Sequence, residues 1–203
     1  SKINQSLSDV LSENTSVFIK DYGRGALATA SFRGTAPAHT QVTWNGLRLN
    51  SPMLGMVDFS LIPVYVVDEI NLQHGAASVS ALTGGLGGHI LINNKADWKN
   101  SFSGRYYQGI GSFSSFDEFV QFNLGNSVIQ AKTRAYHNYS ENDFTFRNKS
   151  IPGYPVQKNR NADYQKYGLT QEIYFKSSDR NIISAKVWYQ DAYRSIPTVL
   201  SNQ

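Results

Sequence analysis

From residue 102 onward the chain alternates apolar and polar residues in five runs of about ten residues each. A period of two sends successive side chains to opposite faces of an extended strand, so each run predicts a strand with one apolar and one polar face. Residues 102–110 set Phe102, Tyr106 and Ile110 against Ser103, Arg105 and Gly109. Residues 116–124 set Phe116, Val120, Phe122 and Leu124 against Asp117, Gln121 and Asn123. In residues 128–139, Ile129, Ala131, Ala135 and Tyr139 oppose Gln130, Lys132, Arg134 and Asn138. Residues 167–176 oppose Tyr167, Leu169, Ile173 and Phe175 to Thr170, Glu172 and Lys176. Residues 182–191 oppose Ile183, Ala185, Val187 and Tyr189 to Ser184, Lys186 and Gln190.

A soluble sandwich also alternates. The length of these runs, their aromatic load and the placing of their turns favour tilted strands of a membrane barrel, which run roughly 9–11 residues. Short turns at 125–127 and 177–181 fall at one end of the strands, and the long stretch 140–163 falls at the other. Outer-membrane barrels distribute periplasmic turns and external loops in this way. Five strands leave two unpaired edges, and the smallest membrane barrels use eight, so further strands are expected beyond those present.

The first half is of another character. Residues 1–98 carry 6 Lys+Arg against 7 Asp+Glu, 10 of the 16 glycines and 7 of the 26 aromatics. Residues 99–203 carry 13 against 8, with 19 aromatics, so the net charge of +4 comes from the second half. Two domains are therefore expected, 1–98 and 99–203. The basic residues are spread singly, which argues against nucleic acid as a partner. Absence of cysteine excludes disulfides, thiolate metal sites and cysteine nucleophiles. The longest apolar run spans only residues 64–67, far short of a membrane helix, and no charged-then-apolar leader opens the chain.

Within 1–98, Leu7, Val10 and Leu11 share a helical face behind a Ser6 or Ser8 cap. Short strands are expected at 17–20, 30–34, 41–44, 69–73 and 89–92, with a helical turn at 64–67. The Asn45-Gly46 step favours a tight hairpin. Short strands with small helices between them make an α+β domain with a small mixed sheet.

Several blocks resemble a known family. They are Leu7-Ser8-Asp9-Val10-Leu11, Ser31-Phe32-Arg33-Gly34, Val42-Thr43-Trp44-Asn45-Gly46-Leu47-Arg48-Leu49-Asn50, residues 58–63, Asp68-Glu69-Ile70-Asn71-Leu72, Gly75-Ala76-Ala77-Ser78 and Gly84-Gly85-Leu86-Gly87-Gly88-His89-Ile90-Leu91-Ile92-Asn93. In this order over about ninety residues they resemble the plug domain of TonB-dependent outer-membrane receptors. Alternating strands directly after the plug also fit that family, whose barrels have 22 strands and a plugged lumen. The wording Asn-Gly-Leu-Arg-Leu-Asn-Ser-Pro is most similar to the cobalamin-transporter branch of Bacteroides-like bacteria.

The resemblance implies a non-enzymatic importer in the outer membrane of a Gram-negative bacterium, without cofactor. Its partners would be TonB, reached through an N-terminal box not in this chain, a scarce bulky nutrient with cobalamin first, membrane lipid and a surface-exposed lipoprotein. A siderophore or oligosaccharide importer, or a plug-like signalling module without transport, is the alternative within this likeness. A soluble sandwich lectin or accessory domain is the alternative outside it.

In the plug's usual geometry, residues 21–27 and 50–57 form two outward loops. The first offers Tyr22 and Arg24, the second Asn50, Met53, Leu54 and Met56, as substrate-binding candidates. Methionine suits an irregular apolar ligand surface, and it equally suits gap-filling against a wall. Arg33 matches a family position that pairs with barrel-wall glutamates, a task for a permanently charged, bidentate guanidinium. At the companion position, where the family usually has arginine, this chain has His74. Histidine titrates near neutrality, so a pH-sensitive plug-barrel lock is the corresponding expectation.

The glycine run at 84–88 lacks the Lys-Ser/Thr of a nucleotide loop and the dinucleotide spacing. Histidines 39, 74, 89 and 137 show no ligand-like spacing, and no Ser/His/Asp set stands out, so neither a metal nor a catalytic residue is expected.

Overall fold

The structure is a computed structural model that describes residues 6–23, 25–32, 34–74, 87–98 and 101–197. Two compact units divide the chain, Ser1–Lys95 and Ala96–Gln203.

In the first unit, α1 (Leu7–Asn14) begins at Ser6, whose hydroxyl accepts from the Asp9 amide while the Asp9 carboxylate accepts from the Ser6 amide at 2.7 Å. This reciprocal cap satisfies two amides that a helix start leaves without intrahelical partners. Leu7 and Leu11 are buried by the apolar face that the spacing predicts, and Val10 is half-buried. An antiparallel pair follows, β1 (Phe18–Asp21) with β2 (Ala28–Ser31). A second sheet has the order β4 (Leu47–Arg48), β3 (Thr40–Trp44), β6 (Gly88–Asn93), β5 (Glu69–His74). Only β3 and β6 run parallel, so the sheet is mixed as expected. Asn45 and Gly46 take φ of 47° and 87°, the left-handed pair a two-residue hairpin turn requires, and set Trp44 opposite Leu47. Short 3₁₀ turns at Phe59–Leu61 and Val64–Val66 carry the chain from β4 to β5, the two edges of this sheet. Leu7, Leu11, Ala28, Phe32, Val42, Phe59, Val66, Ile90 and Ile92 make the core.

The second unit is one antiparallel sheet in the order β13-β12-β9-β8-β7. Its strands are β7 (Phe102–Gly111), β8 (Ser115–Gly125), β9 (Ile129–Ser140), β12 (Tyr164–Lys176) and β13 (Ile182–Arg194). All five expected runs are strands. The turns at 126–128 and 177–181 lie at one end, and the long 141–163 segment and the 112–114 turn at the other. The long segment contains a small hairpin that periodicity did not predict, β10 (Thr145–Arg147) paired with β11 (Val156–Lys158).

Burial across this sheet is inverted relative to a soluble protein. The polar face is buried: Arg134, Thr170 and Glu172 are 0% exposed, and Asp117, Gln121, Lys132 and Asn138 are buried as well. The apolar face is exposed, with Ile110 at 73%, Leu124 at 63% and Ile183 at 64%. A sandwich would cover the apolar face instead. On the buried face, Gly168 stands opposite Tyr136 in the register. A Cβ there would sit 2.5 Å from the Tyr136 hydroxyl, so the tyrosine ring requires glycine.

Candidate functional site

Two loops of the first unit carry the residues expected to meet a ligand, and of these Tyr22, Met53 and Leu54 are exposed. The β1–β2 loop turns through an Asp21 side chain that accepts from the Gly23 amide at 2.7 Å, and closes through Tyr22 N–H donating to the Leu27 carbonyl. Tyr22 is 60% exposed, with the Lys20 ammonium 4.9 Å from its ring centroid. Arg24 lies outside the described residues.

The second loop, 50–57, is closed by its own backbone. The Ser51 amide donates to the Met56 carbonyl at 3.0 Å, and the Gly55 amide donates to the Ser51 carbonyl at 2.8 Å. Asn50 supplies the rest of the closure. Its carbonyl oxygen accepts from the Val42 amide at 2.9 Å, and its side-chain NH₂ donates to the Thr40 and Gly55 carbonyls, each at 2.8 Å. Asn50 is buried, its carbonyl and amide spent on backbone. The tip that this framework holds up is apolar: Met53 is 95% and Leu54 65% exposed, while Met56 is half-buried.

The two loops are joined where they end. Asp58, immediately after the second loop, accepts from the Ala28 amide, immediately after the first, at 3.0 Å. The same carboxylate oxygen accepts from the Ser60 amide and hydroxyl, capping the following 3₁₀ turn. Sequence reasoning did not single out Asp58 as this tie. The Asp58-Phe59-Ser60 spacing, an acceptor two residues ahead of a donor, is the signal that could have found it.

Of the two positions expected to form a lock, Arg33 lies outside the described residues, as do residues 75–86, which include Gly75-Ala76-Ala77-Ser78 and most of the glycine run. His74 is exposed at the end of β5, its ring edge-on to Phe32 with centroids 5.0 Å apart. His74 is therefore packed against the residue that precedes Arg33. His89 is different: it is buried, its Nε2 lies 3.1 Å from the Thr43 hydroxyl, and burial pushes its imidazole below the usual range.

Two further polar groupings emerge in the second unit. On the buried face, Arg134 pairs with Glu172 at 2.7 Å, and its Nε donates to Gln121 at 3.1 Å. Gln121 also accepts from Arg105 at 2.8 Å and donates to Asn123, and Tyr174 donates to Glu172 at 2.5 Å. In the 141–163 segment, the Asn148 side chain donates to Gln157 across the β10–β11 hairpin. Lys158 pairs with Asp143, holding that carboxyl below and the ammonium above their ordinary ranges. Phe144 packs edge-on to both Phe113 and Phe146. Among the described residues no group of three or more His, Asp and Glu side chains could hold a metal ion.

Residues 1–89 match the family model described as TonB-dependent Receptor Plug Domain. Vitamin B12 transporter BtuB of Vibrio cholerae is 36% identical over 93 residues, 45% of this chain and 15% of that protein. The copper transporter OprC superposes with a TM-score of 0.76 at 15% identity, over 95% of this chain and 29% of that one. The pyoverdine receptor FpvA of Pseudomonas aeruginosa, solved with pyoverdine bound, superposes with a TM-score of 0.72 at 13% identity, over 93% and 25%. The match to the vitamin B12 transporter thus spans about a seventh of that protein's length. The two solved structures carry the same succession of plug and barrel strands across nearly the whole chain.

Proposed function

We propose that this chain, which belongs to the TonB-dependent outer-membrane receptors, serves the import of a scarce bulky nutrient, cobalamin first. The observation that carries the reading is the pair of tied, rigid loops with an apolar tip. A loop closed by Asn50 and anchored through Asp58 can hold Met53 and Leu54 in water without collapsing onto its own sheet. A large ligand with apolar edges would cover both side chains and gain the burial they forgo in the free protein.

In this reading Tyr22, Arg24, Met53 and Leu54 meet the ligand. Met56 backs the tip and Asn50 positions it. Arg33 and His74 serve as the plug-barrel lock, and TonB pulls on an N-terminal box outside this chain. The link from the Asp58 region to the first described residues supports such a coupling. Four residues on from Asp58, the Ile62 carbonyl accepts from the Leu7 amide at 3.0 Å, and Pro63 bridges to Ser6. The 36% identity to a vitamin B12 transporter favours cobalamin over a siderophore or an oligosaccharide.

The test is calorimetric titration of the full-length receptor in detergent with cyanocobalamin, a ferric siderophore and a maltodextrin. Nanomolar cobalamin binding that Met53→Ala and Leu54→Ala each weaken about tenfold, the equivalent of 1.4 kcal/mol, is the expected result. Binding of the siderophore or the glycan instead would refute cobalamin while leaving the importer.

A further inference from the structure

The chain holds two methionines, Met53 and Met56, and both stand in the 50–57 loop. Three residues apart, they differ sharply in their surroundings. Met53 is 95% exposed, more than any other large apolar side chain among the described residues. Met56 is half-buried, and its carbonyl belongs to the closure of the loop, accepting from the Ser51 amide.

The backbone keeps Met53 in water. Gly55, with φ of 68°, sets the loop against the 3₁₀ turn Pro37–His39, and a Cβ at Gly55 would meet the Ala38 Cβ at 3.3 Å. The inner side of the loop is therefore occupied by Ala38. The closing bonds run among Ser51, Gly55 and Met56, and the Leu54 amide donates to the Ser51 hydroxyl at 3.3 Å. None of these bonds uses an atom of Met53. Its thioether can be altered without opening the loop that carries it.

A thioether is a soft nucleophile that peroxide converts to a sulfoxide, and accessible methionines react first. The Sγ lone pair attacks one oxygen of hydrogen peroxide, the S–O bond forms and the O–O bond breaks. The hydroxyl proton passes to the departing hydroxide, which leaves as water. Sulfur is oxidised by two electrons and the peroxide is reduced by two. The product side chain is polar where the original was apolar.

We propose that Met53 is a reversible oxidation site through which peroxide weakens ligand capture by the apolar tip. This rests on the import reading, in which Met53 and Leu54 meet an apolar edge of the ligand, and adds a control over it. Contact with such an edge would strip water from the sulfoxide oxygen and offer no donor in return. Leu54, 65% exposed and inert to peroxide, keeps its share of the contact, so capture is weakened and not abolished. A thiol-dependent methionine sulfoxide reductase reverses the change: two thiols become a disulfide, the sulfoxide oxygen leaves as water and the thioether returns.

The experiment treats the full-length receptor in detergent with hydrogen peroxide, locates the added oxygen by fragmentation mass spectrometry at intervals, and titrates cyanocobalamin before and after. Met53 should gain its oxygen at least about fivefold faster than Met56. Complete oxidation of Met53 should raise the Kd about tenfold, the loss also expected from Met53→Ala, and sulfoxide reductase with a thiol should restore it. Peroxide should leave the affinity of Met53→Leu where that variant's own untreated sample has it, which controls for methionines elsewhere in the receptor. Oxidation of Met56 as fast as Met53, or an equal peroxide-induced loss in Met53→Leu, overturns the proposal. Cyanocobalamin binding that survives complete oxidation of Met53 overturns the oxidation switch alone. A receptor that binds no cyanocobalamin before treatment refutes the cobalamin reading and the switch with it.

Discussion

The buried Arg134–Glu172 pair offers the most demanding test of the barrel sheet. Both side chains are 0% exposed, and they bridge β9 to β12 through a 2.7 Å contact. Changing Glu172 to Gln keeps the shape, leaves a guanidinium uncompensated and weakens the Tyr174 hydrogen bond. Removing one partner of such a pair costs about 3–5 kcal/mol, because the remaining charge stays buried. Arg134→Met should cost a similar amount, since it strands Glu172 and takes a donor from Gln121. In Arg134→Met/Glu172→Gln no isolated charge remains, and the loss should be smaller than the sum of the two single losses. The expected coupling is up to about 3 kcal/mol, with a residual deficit from Gln121 and Tyr174. Thermal unfolding of the full-length receptor in detergent, followed by its heat-dependent gel mobility, reads all four proteins. Strictly additive losses, or single variants as stable as the unaltered protein, would refute the account of a pair that neutralises itself.

Four other outcomes follow from named contacts. Asn50→Ala should cost about 1–3 kcal/mol by leaving the buried Val42 amide and Thr40 carbonyl unsatisfied. It should also speed proteolytic cleavage beside Met53, as limited digestion would show. His89 is held neutral by burial, so its imidazole binds a proton more weakly in the folded than in the unfolded chain. Its contribution is complete above the unfolded value near 6.5 and is lost as pH falls below it, so His89→Gln should flatten the melting curve between pH 7 and 5. Asp143, held low by Lys158, acts in the same sense at lower pH: the protection of the β10–β11 amides, relative to their intrinsic exchange rates, should fall below about pH 4, and in Asp143→Asn that protection should not change with pH there. Gly168→Ala should destabilise the barrel by about 1–3 kcal/mol through collision with Tyr136, and a Tyr136→Phe background should relieve part of it.

The strands of the second unit were legible because alternation is a local property: the same residues that announce two faces also occupy them. The ends of β9 at Ser140 and β12 at Tyr164 fall within three residues of the reading. The β10–β11 hairpin was not legible, since strands of three residues contain too little period to register, and Asn148 closes them through Pro155 and Gln157, seven and nine positions away. Asn50 illustrates a different limit. Its place in a loop that the family resemblance directs outward suggested ligand contact, but its orientation depends on amide and carbonyl groups of β3, which only the folded hairpin brings within reach. The Asp58 tie to Ala28 spans thirty residues and leaves no local trace beyond its cap to Ser60. The parallel pairing of β3 with β6 likewise joins segments nearly fifty residues apart. In each case the missed feature is a tertiary satisfaction of a backbone group.

The inverted sheet decides which solvent this protein can tolerate. Fifteen large apolar or aromatic side chains stand exposed on one face, from Phe102, Tyr106 and Ile110 on β7 to Ile183, Val187, Tyr189 and Tyr193 on β13. At about 1.5–3 kcal/mol for each side chain, moving this face from water into an apolar medium gains on the order of 20–40 kcal/mol. In water that gain drives the face to associate with any other apolar surface. Lipid or detergent covers this face, while the opposite polar face keeps the pairing of Arg134, Glu172, Gln121 and Tyr174. The full-length receptor should therefore precipitate when detergent is diluted below its micelle threshold, and should stay monodisperse when lipid nanodiscs take its place. A monodisperse, detergent-free monomer with the same melting temperature would show that the exposed face is covered by protein, and would restore the soluble sandwich as the better account.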